Sequence, residues 1–211
     1  MKNIYFIRHG ESEGNIGPIR QTIATPLTDK GKEQARIAAD RCSNIAVEII
    51  ISSTMNRARE TTGIILEKIS KPVEYSDLFI EKRRTSEELG KPKDDPTALM
   101  IKKEVEANFT KPGWRFSDEE NFDDLKRRGL EALDYLANRP EQNILVVTHG
   151  AFLKILAACV VFGENLTAEE CWNFLHKFHM ENTGITVFRY NEKSQSNPWR
   201  VWIWNDHAHL D

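Results

Sequence analysis

The chain has 211 residues, of which 40% are hydrophobic and 29% charged, and its 29 Lys and Arg against 32 Asp and Glu give a net charge of −3. This balance is typical of a globular protein and excludes a disordered chain, a collagen-like fibre and a strongly basic nucleic-acid-binding protein. The three cysteines are widely spaced and form no C-x-x-C pair. They therefore predict buried free thiols rather than a disulfide framework or a zinc site.

Membrane and secretory segments are not predicted. No apolar run approaches the roughly 20 residues that a membrane-spanning helix needs. The N-terminus enters an apolar run that is too short for the core of a signal peptide. We therefore expect a cytoplasmic protein with neither a membrane nor a nucleic acid as partner.

The first third of the chain predicts three strands and two helices. Residues 3–7 are rich in β-forming side chains and predict a short buried strand that ends at Arg8-His9-Gly10. Thr28 is a typical N-cap for a helix running to about residue 43. Residues 47–52 predict a second strand, Ser53-Thr54 an N-cap for a helix running to about 69, and residues 72–75 a third strand.

Residues 76–90 form a charged loop, and residues 91–121 are the least regular part of the chain. The aromatic residues Phe109, Trp114 and Phe116 lie in this second stretch, where they either join the core or line a lid. The remaining predicted elements are helices over 97–109, 121–138, 151–162 and 167–180, and strands over 143–148, 183–190 and 199–204.

Strands alternate with helices through most of the sequence. This order predicts an α/β fold with a largely parallel sheet and helices on both of its faces. The last two strands are close enough to form a hairpin, so the sheet is expected to be mixed. We expect one domain over 1–211, in which residues 91–121 are an inserted subregion.

The ends of the predicted parallel strands carry most of the candidate site residues. In open α/β sheets, ligands bind outside the carboxyl ends of the strands. These ends bring together two histidines, arginines and a carboxylate. The set comprises Arg8 and His9 after the first strand, Arg57 and Arg59 after the second, Glu81 after the third, and His149 after the fourth.

This set is suited to a dianionic, tetrahedral ligand, because arginine forks match phosphate oxygens bidentately. A metal site is not predicted, because Arg8 and Arg57 would repel a divalent cation and the H-E-x-x-H spacing is absent. The sequence after His9 matches neither the P-loop nor the G-x-G-x-x-G pattern, so a nucleotide-binding loop is not predicted either.

The segment Arg8–Asn15, R-H-G-E-S-E-G-N, resembles the R-H-G-[EQ]-[ST]-x-x-N signature of the histidine phosphatase superfamily, in its phosphoglycerate-mutase-like branch. Other segments, which run in the family's order and spacing up to residue 210, are similar to further stretches of that family. They are Pro26–Ala35 with P-L-T-x-x-G-x-x-Q-A, Ser52–Thr62 with S-S-x-x-x-R-A-x-x-T-[AT], Thr148–Gly150, 182–186 and 205–210. The resemblance implies the three-layer α/β/α sandwich with a mostly parallel central sheet of this family.

The resemblance also implies a phosphohistidine mechanism in which His9 is the nucleophile. The phosphoryl oxygens would be held by Arg8, Asn15, Arg57 and His149. A hydrogen bond from one His9 nitrogen to a backbone carbonyl would fix the tautomer and present the other nitrogen.

The proton donor to the leaving group is expected at Glu81. The family's usual G-x-x-E-G ending is absent after it, so Glu87 and Glu88 remain alternative donors. The basic run 82–84 predicts a positive rim that attracts an anionic substrate, with Arg84 as its substrate contact.

Together these features imply a metal-independent phosphatase that needs no cofactor, acts on a small phosphorylated metabolite and releases inorganic phosphate. Two alternatives within the same family are a phosphoglycerate mutase and a protein phosphatase acting on phosphohistidine or phosphoserine. A non-enzymatic alternative is a phosphate-binding module that has lost catalysis.

Overall fold

The computed structural model describes residues 1–194 and 196–210; positions 195 and 211 of the predicted domain lie outside the described residues. In the described part of the chain, six strands form one mixed sheet in the order β3-β2-β4-β1-β5-β6. The strands are β1 (Lys2–Arg8), β2 (Ile49–Ser52), β3 (Val73–Tyr75), β4 (Asn143–Thr148), β5 (Ile185–Tyr190) and β6 (Trp199–Asp206). The first four strands run parallel, while β5 and β6 are antiparallel additions at one side.

The described residues contain seven α-helices, and five of them cover the two faces of the sheet. The helices are α1 (Glu13–Ile16), α2 (Asp29–Cys42), α3 (Asn56–Lys68), α4 (Pro96–Asn108), α5 (Phe122–Ala137), α6 (Gly150–Phe162) and α7 (Ala168–Lys177). Alternate residues of the central strands enter two separate cores. One core joins the sheet to α2 and α3, and the other joins it to α5, α6 and α7. The predicted three-layer α/β/α class with a mostly parallel sheet is confirmed.

The central strands are buried on both faces, which explains their continuous hydrophobic sequences. In β1, Phe6 faces the core of α5–α7, whereas Ile7 faces the core of α2 and α3. Both side chains are fully buried, and burying a large apolar side chain contributes roughly 1.5–3 kcal/mol. The strands whose ends carry the candidate histidines are therefore held in place by hydrophobic packing on both faces.

Two predicted helix starts agree with the structure, and one is wrong. Thr28 caps α2 by accepting a hydrogen bond from the Gly31 N–H, and Thr167 opens α7 with a capping box. The prediction that Ser53-Thr54 caps the third helix is wrong, because α3 begins at Asn56 with Met55 as its N-cap. The Ser53 hydroxyl instead turns inward to contact a histidine.

The segment between β3 and α5 contains the predicted helix and a short 3-10 turn that was not predicted. A 3-10 turn spans Asp77–Phe79, and α4 forms where a short helix was expected, capped by Asp95. Phe109 follows α4 and packs against Trp172 with ring centroids 5.2 Å apart. Phe109 is therefore a core aromatic, one of the two roles considered for it.

The three cysteines, Cys42, Cys159 and Cys171, are buried free thiols, as predicted. Burial raises the pKa of each thiol to about 12, which makes these groups chemically inert. Within the described part of the chain, no helix has the length and apolar character needed to cross a bilayer. The cytoplasmic location stays a prediction.

Candidate active site

The two candidate histidines lie side by side because β1 and β4 are adjacent parallel strands. Their register pairs Arg8 with Thr148, so His9 and His149 leave the sheet at the same level. The backbone N–H of His9 donates to the Thr148 carbonyl at 3.0 Å. The two imidazole rings are buried, with centroids 5.0 Å apart and planes inclined by 57°.

The ring of His9 is held in one tautomer. Its Nδ1 lies 2.7 Å from the carbonyl oxygen of Gly10, and because a carbonyl only accepts, Nδ1 carries the hydrogen. Nε2 is therefore a lone pair, which accepts a hydrogen bond from Arg57 Nε at 3.1 Å. Burial, together with the charges of Arg57 and Arg8, holds the pKa of His9 well below its usual range, so the ring is neutral. The expected backbone hydrogen bond is present.

The loop after His9 is held tightly against the start of α2. A Cβ at Gly10 would lie only 2.3 Å from the carbonyl oxygen of Gly31, so a larger residue at this position is incompatible with the packing. The Gly10 N–H donates to the hydroxyl of Thr61 on α3 at 3.1 Å. These contacts fix the backbone on which the His9 ring is mounted.

Two arginines bring positive charge to the histidine pair. Arg57, from the first turn of α3, is only 2% exposed and donates to the Thr22 carbonyl at 3.2 Å. Burial lowers the pKa of Arg57 to about 10. The charge of Glu81 opposes this shift, and the charge of Arg8 adds to it. The guanidinium of Arg8 packs over Gly150, where a Cβ would be 3.3 Å from its Nε.

Neither guanidinium is neutralised by direct pairing. Among the described residues, Arg8 and Arg57 form no salt bridge with a carboxylate. The buried Nε of Arg8 also has no hydrogen-bond partner among residues 1–194 and 196–210. Because burying an unpaired charge is costly, this arrangement favours an anionic ligand at the site.

His149 has a different environment from His9. Its ring is fully buried, and burial together with Arg57 holds its pKa well below the usual range. Nε2 lies 2.7 Å from the hydroxyl of Ser53 at the end of β2. Nδ1 is buried and has no hydrogen-bond partner among the described residues. The sequence predicts Ser53 only as a helix N-cap and as part of a family motif, so its contact with His149 is not predicted.

Glu81 follows the 3-10 turn after β3, and its carboxylate lies at the start of α6, facing the arginines. Its carboxylate accepts hydrogen bonds from the N–H groups of Phe152 at 2.9 Å and Ala151 at 3.3 Å, the arrangement that a helix N-terminus offers an anion. It also lies within electrostatic range of Arg8 and Arg57. The structure therefore brings Glu81 to the other strand-end residues.

The two alternative acids are placed differently. Glu88 is buried and is shared by two arginines, with Arg84 Nη1 at 2.9 Å and Arg20 Nη1 at 3.4 Å. Glu87 is exposed. Because its charge is already compensated, Glu88 is poorly suited to move a proton.

Asn15 lies on α1, in the segment that follows His9. Its Oδ1 accepts from the Ser12 N–H at 2.9 Å, which completes a capping box, and lies 3.4 Å from Nδ2 of Asn182. Asn182 also donates to the His9 carbonyl at 2.9 Å. Sequence reasoning missed Asn182 because it considered only carboxyl ends of strands. It precedes β5, an antiparallel strand whose amino end reaches the same edge.

Arg128 on α5 was also missed. Its guanidinium donates to the carbonyl oxygens of Ile80 at 2.9 Å and Glu81 at 3.4 Å, and thereby holds the segment that carries Glu81. Buried Glu120 compensates the charge of Arg128. It accepts from Nε at 2.8 Å and from Nη2 at 2.7 Å. The signal was available, because Arg128 interrupts the apolar face of α5 three residues after Leu125.

The remaining predicted arginines lie further out. The Arg84 side chain is 53% exposed and is paired with Glu88, which places it at the rim rather than among the buried groups. Arg59 stacks its guanidinium 4.2 Å above the Tyr75 ring and is not part of the buried cluster.

Comparison with known proteins connects this geometry to one family. The family model described as histidine phosphatase superfamily, branch 1, matches residues 4–206. A protein of Photorhabdus laumondii named probable phosphoglycerate mutase GpmB is 28% identical, over 100% of this chain and 96% of its own length. A putative phosphoserine phosphatase 2 of Hydrogenobacter thermophilus is 29% identical, over 92% of this chain and 93% of its own. The solved structure of Bacillus stearothermophilus YhfR superposes with a TM-score of 0.83 and 25% identity, over the full length of both chains.

Proposed function

The chain belongs to the histidine phosphatase superfamily, and on that basis we propose that it hydrolyses a phosphomonoester of a small metabolite through a phosphohistidine at His9. One observation carries the proposal. Among the described residues, Arg8 and Arg57 form no salt bridge and lie beside two buried, neutral histidines. A phosphoryl dianion supplies the charge that this site lacks.

In the first step, His9 Nε2 attacks phosphorus in line with the leaving oxygen, so that an N–P bond forms as the P–O bond breaks. Glu81 protonates the departing alkoxide. In the second step, Glu81 takes a proton from water, which attacks phosphorus and releases inorganic phosphate from His9. Dividing one displacement into two is the general advantage of a covalent nucleophile.

The lone pair of His9 is engaged by Arg57 in the free protein. When the phosphoryl group binds, its oxygens become the better acceptors for the Arg57 N–H groups, which releases Nε2 to attack. Arg8, Arg57, His149 and Asn15 then stabilise the negative charge on the equatorial oxygens. With this charge supplied by side chains, the reaction is expected to need neither a metal nor a cofactor.

Residues 91–121 are proposed to form a lid subregion of the domain, which restricts the site to small substrates. Their first part is joined to the loop after His9, because the Lys93 N–H donates to the Pro18 carbonyl at 2.6 Å and Ile19 pairs with Pro92. Arg84 at the rim is proposed as a contact for the substrate. A lid of this size favours a metabolite over a phosphorylated protein.

The first experiment is hydrolysis of an aryl phosphate by the purified protein, with and without EDTA. We expect turnover at equal rates in both conditions. Loss of turnover with EDTA would show that the metal-free mechanism is wrong. A panel of phosphorylated metabolites, including phosphoserine, then identifies the substrate class.

A phosphoglycerate mutase is the second candidate, because full-length relatives carry that name. In a mutase the phosphohistidine returns its phosphoryl group to the substrate instead of to water. Incubation with 3-phosphoglycerate and 2,3-bisphosphoglycerate distinguishes the two activities. Accumulation of 2-phosphoglycerate without release of phosphate would favour the mutase and overturn the phosphatase.

A further inference from the structure

The hydroxyl of Ser53 forms a buried contact that the mechanism above does not use. Ser53 follows β2, and its backbone N–H donates to the Val147 carbonyl at 2.9 Å, which fixes it beside the end of β4. The residue is fully buried. Its Oγ lies 2.7 Å from His149 Nε2 and accepts a hydrogen bond from the Met55 N–H at 3.2 Å.

The direction of the Ser53–His149 hydrogen bond follows from counting hydrogens. A serine hydroxyl has one hydrogen to donate and two lone pairs to accept with. The Met55 N–H occupies one lone pair. Across residues 1–194 and 196–210, His149 Nε2 is the one acceptor in hydrogen-bonding contact with the hydroxyl. Because a buried hydroxyl hydrogen without an acceptor is costly, Ser53 donates and Nε2 accepts.

This direction determines where the ring hydrogen of His149 lies. The ring is neutral, since burial and the neighbouring arginines disfavour its protonated form. A neutral imidazole carries one N–H, and because Nε2 accepts, that hydrogen is on Nδ1. Nδ1 is the buried atom without a partner among the described residues, so its N–H is free to donate to a ligand.

The two histidines thus carry their hydrogen on the same nitrogen and use it for opposite purposes. His9 donates its Nδ1–H to the Gly10 carbonyl and keeps a lone pair for attack. His149 accepts from Ser53 at Nε2 and keeps its Nδ1–H for donation. One ring is prepared as a nucleophile and the other as a hydrogen-bond donor.

We propose that Ser53 is a positioning residue that holds His149 as the Nδ1–H tautomer, so that the ring donates a hydrogen bond to a phosphoryl oxygen. This inference rests on the proposed phosphatase function for its catalytic consequence, but not for the ring tautomer itself. Without the hydroxyl, Nε2 has no donor, and rings in the other tautomer direct a lone pair at the phosphoryl oxygen.

The test is the Ser53→Ala variant, with Ser52→Ala as the matched control. Ser52 is also fully buried, at the end of the same strand, but its Oγ contacts Thr62 and the Ser53 carbonyl rather than His149. Long-range ¹H–¹⁵N spectra of the imidazole nitrogens report which nitrogen carries hydrogen. The His149 signals are assigned by their loss in His149→Asn.

We expect wild type and Ser52→Ala to show a protonated Nδ1 and an unprotonated Nε2 at His149. Ser53→Ala is expected to mix the tautomers and to lower kcat on an aryl phosphate by up to about 10²-fold, the lower end of what loss of an oxyanion donor costs. Ser53→Thr, which keeps the hydroxyl, is expected to restore the wild-type tautomer.

A protonated Nε2 in the wild type would overturn the proposal. So would a Ser53→Ala variant whose kcat falls while the tautomer stays unchanged, because that result indicates loss of packing only. Absence of turnover in the wild type would count against the proposed phosphatase function. The imidazole spectra need no substrate, so they would still test whether Ser53 sets the tautomer of His149.

Discussion

Two neighbouring parts of the molecule differ in whether their charged side chains form salt bridges. The inner site, Arg8, His9, Arg57 and His149, lies at the strand ends, and its arginines have no salt-bridge partner among the described residues. In the outer segment, residues 82–121, several charges form salt bridges, including Lys82 with Glu119 at 2.6 Å and Arg84 with Glu88 at 2.9 Å. The inner arginines are therefore available to bind an anionic ligand, whereas these outer cations already have carboxylate partners.

This difference separates the chemistry from the choice of substrate. The inner groups are fixed by the sheet register and by contacts with backbone atoms, so they suit the phosphoryl group that every substrate shares. The outer segment contributes partly exposed side chains on a helix and loops. We infer that it recognises the rest of the substrate, and the following changes test that division.

His9→Ala is expected to have the largest effect. Removing the nucleophile should lower kcat by at least about 10⁴-fold on every phosphate ester, because both steps pass through its Nε2. His176→Ala is the matched control, since His176 is exposed on α7. An acid-labile, base-stable phosphoprotein detected in the wild type and missing in His9→Ala supports the covalent step. Substantial activity in His9→Ala would disprove it.

Arg57→Met is expected to lower kcat/KM by about 10³-fold, because a buried cation aimed at the phosphoryl oxygens is lost. Arg59→Met on the same helix is the control. Its guanidinium stacks on Tyr75, so a change within about 2-fold is expected. Equal losses in both variants would mean that damage to α3, rather than loss of the phosphate contact, causes the effect.

Glu81→Gln is expected to depend on the leaving group. Alkyl phosphates need a proton on the departing oxygen and should slow by about 10²- to 10⁴-fold, whereas an aryl phosphate should slow much less. Steady-state rates on both substrates measure this difference. Glu87→Gln and Glu88→Gln should not show it, and the same leaving-group dependence in either of them would move the proton donor to that residue.

Arg84→Gln is expected to have the smallest effect. As an exposed cation at the rim, Arg84 should change KM for an anionic metabolite by at most about 5-fold and leave kcat unchanged. The effect should shrink at high salt, because exposed charges are screened. A large fall in kcat would show that the outer segment takes part in the chemistry and that the division is incorrect.

The central architecture was predictable because buried parallel strands read as continuous apolar runs, and because glycine and polar residues mark their ends. The positions of Arg8, His9, Arg57 and His149 followed from those ends alone. Asn182 was not predictable in the same way, because its strand runs in the opposite direction.

Contacts between residues that lie far apart in the sequence could not be predicted from the sequence alone. The hydroxyl of Ser53 was read as a helix cap, since Ser followed by polar residues is a common helix start. Only the parallel pairing of β2 with β4 shows that it contacts His149 instead. The position of Glu81 likewise depends on α6, whose first N–H groups bind its carboxylate, and its role as the proton donor stays a prediction.

The guanidinium groups of the inner site, which form no salt bridge within the described residues, also affect the lifetime of the protein. A ligand that binds only the folded state stabilises it, by about 2.7 kcal/mol when present at 100 times its dissociation constant. Inorganic phosphate, the product of the proposed reaction, fits this description. We therefore expect the melting temperature to rise with phosphate concentration in the wild type and much less in Arg57→Met. The product of the proposed reaction would then protect the resting protein from unfolding and proteolysis.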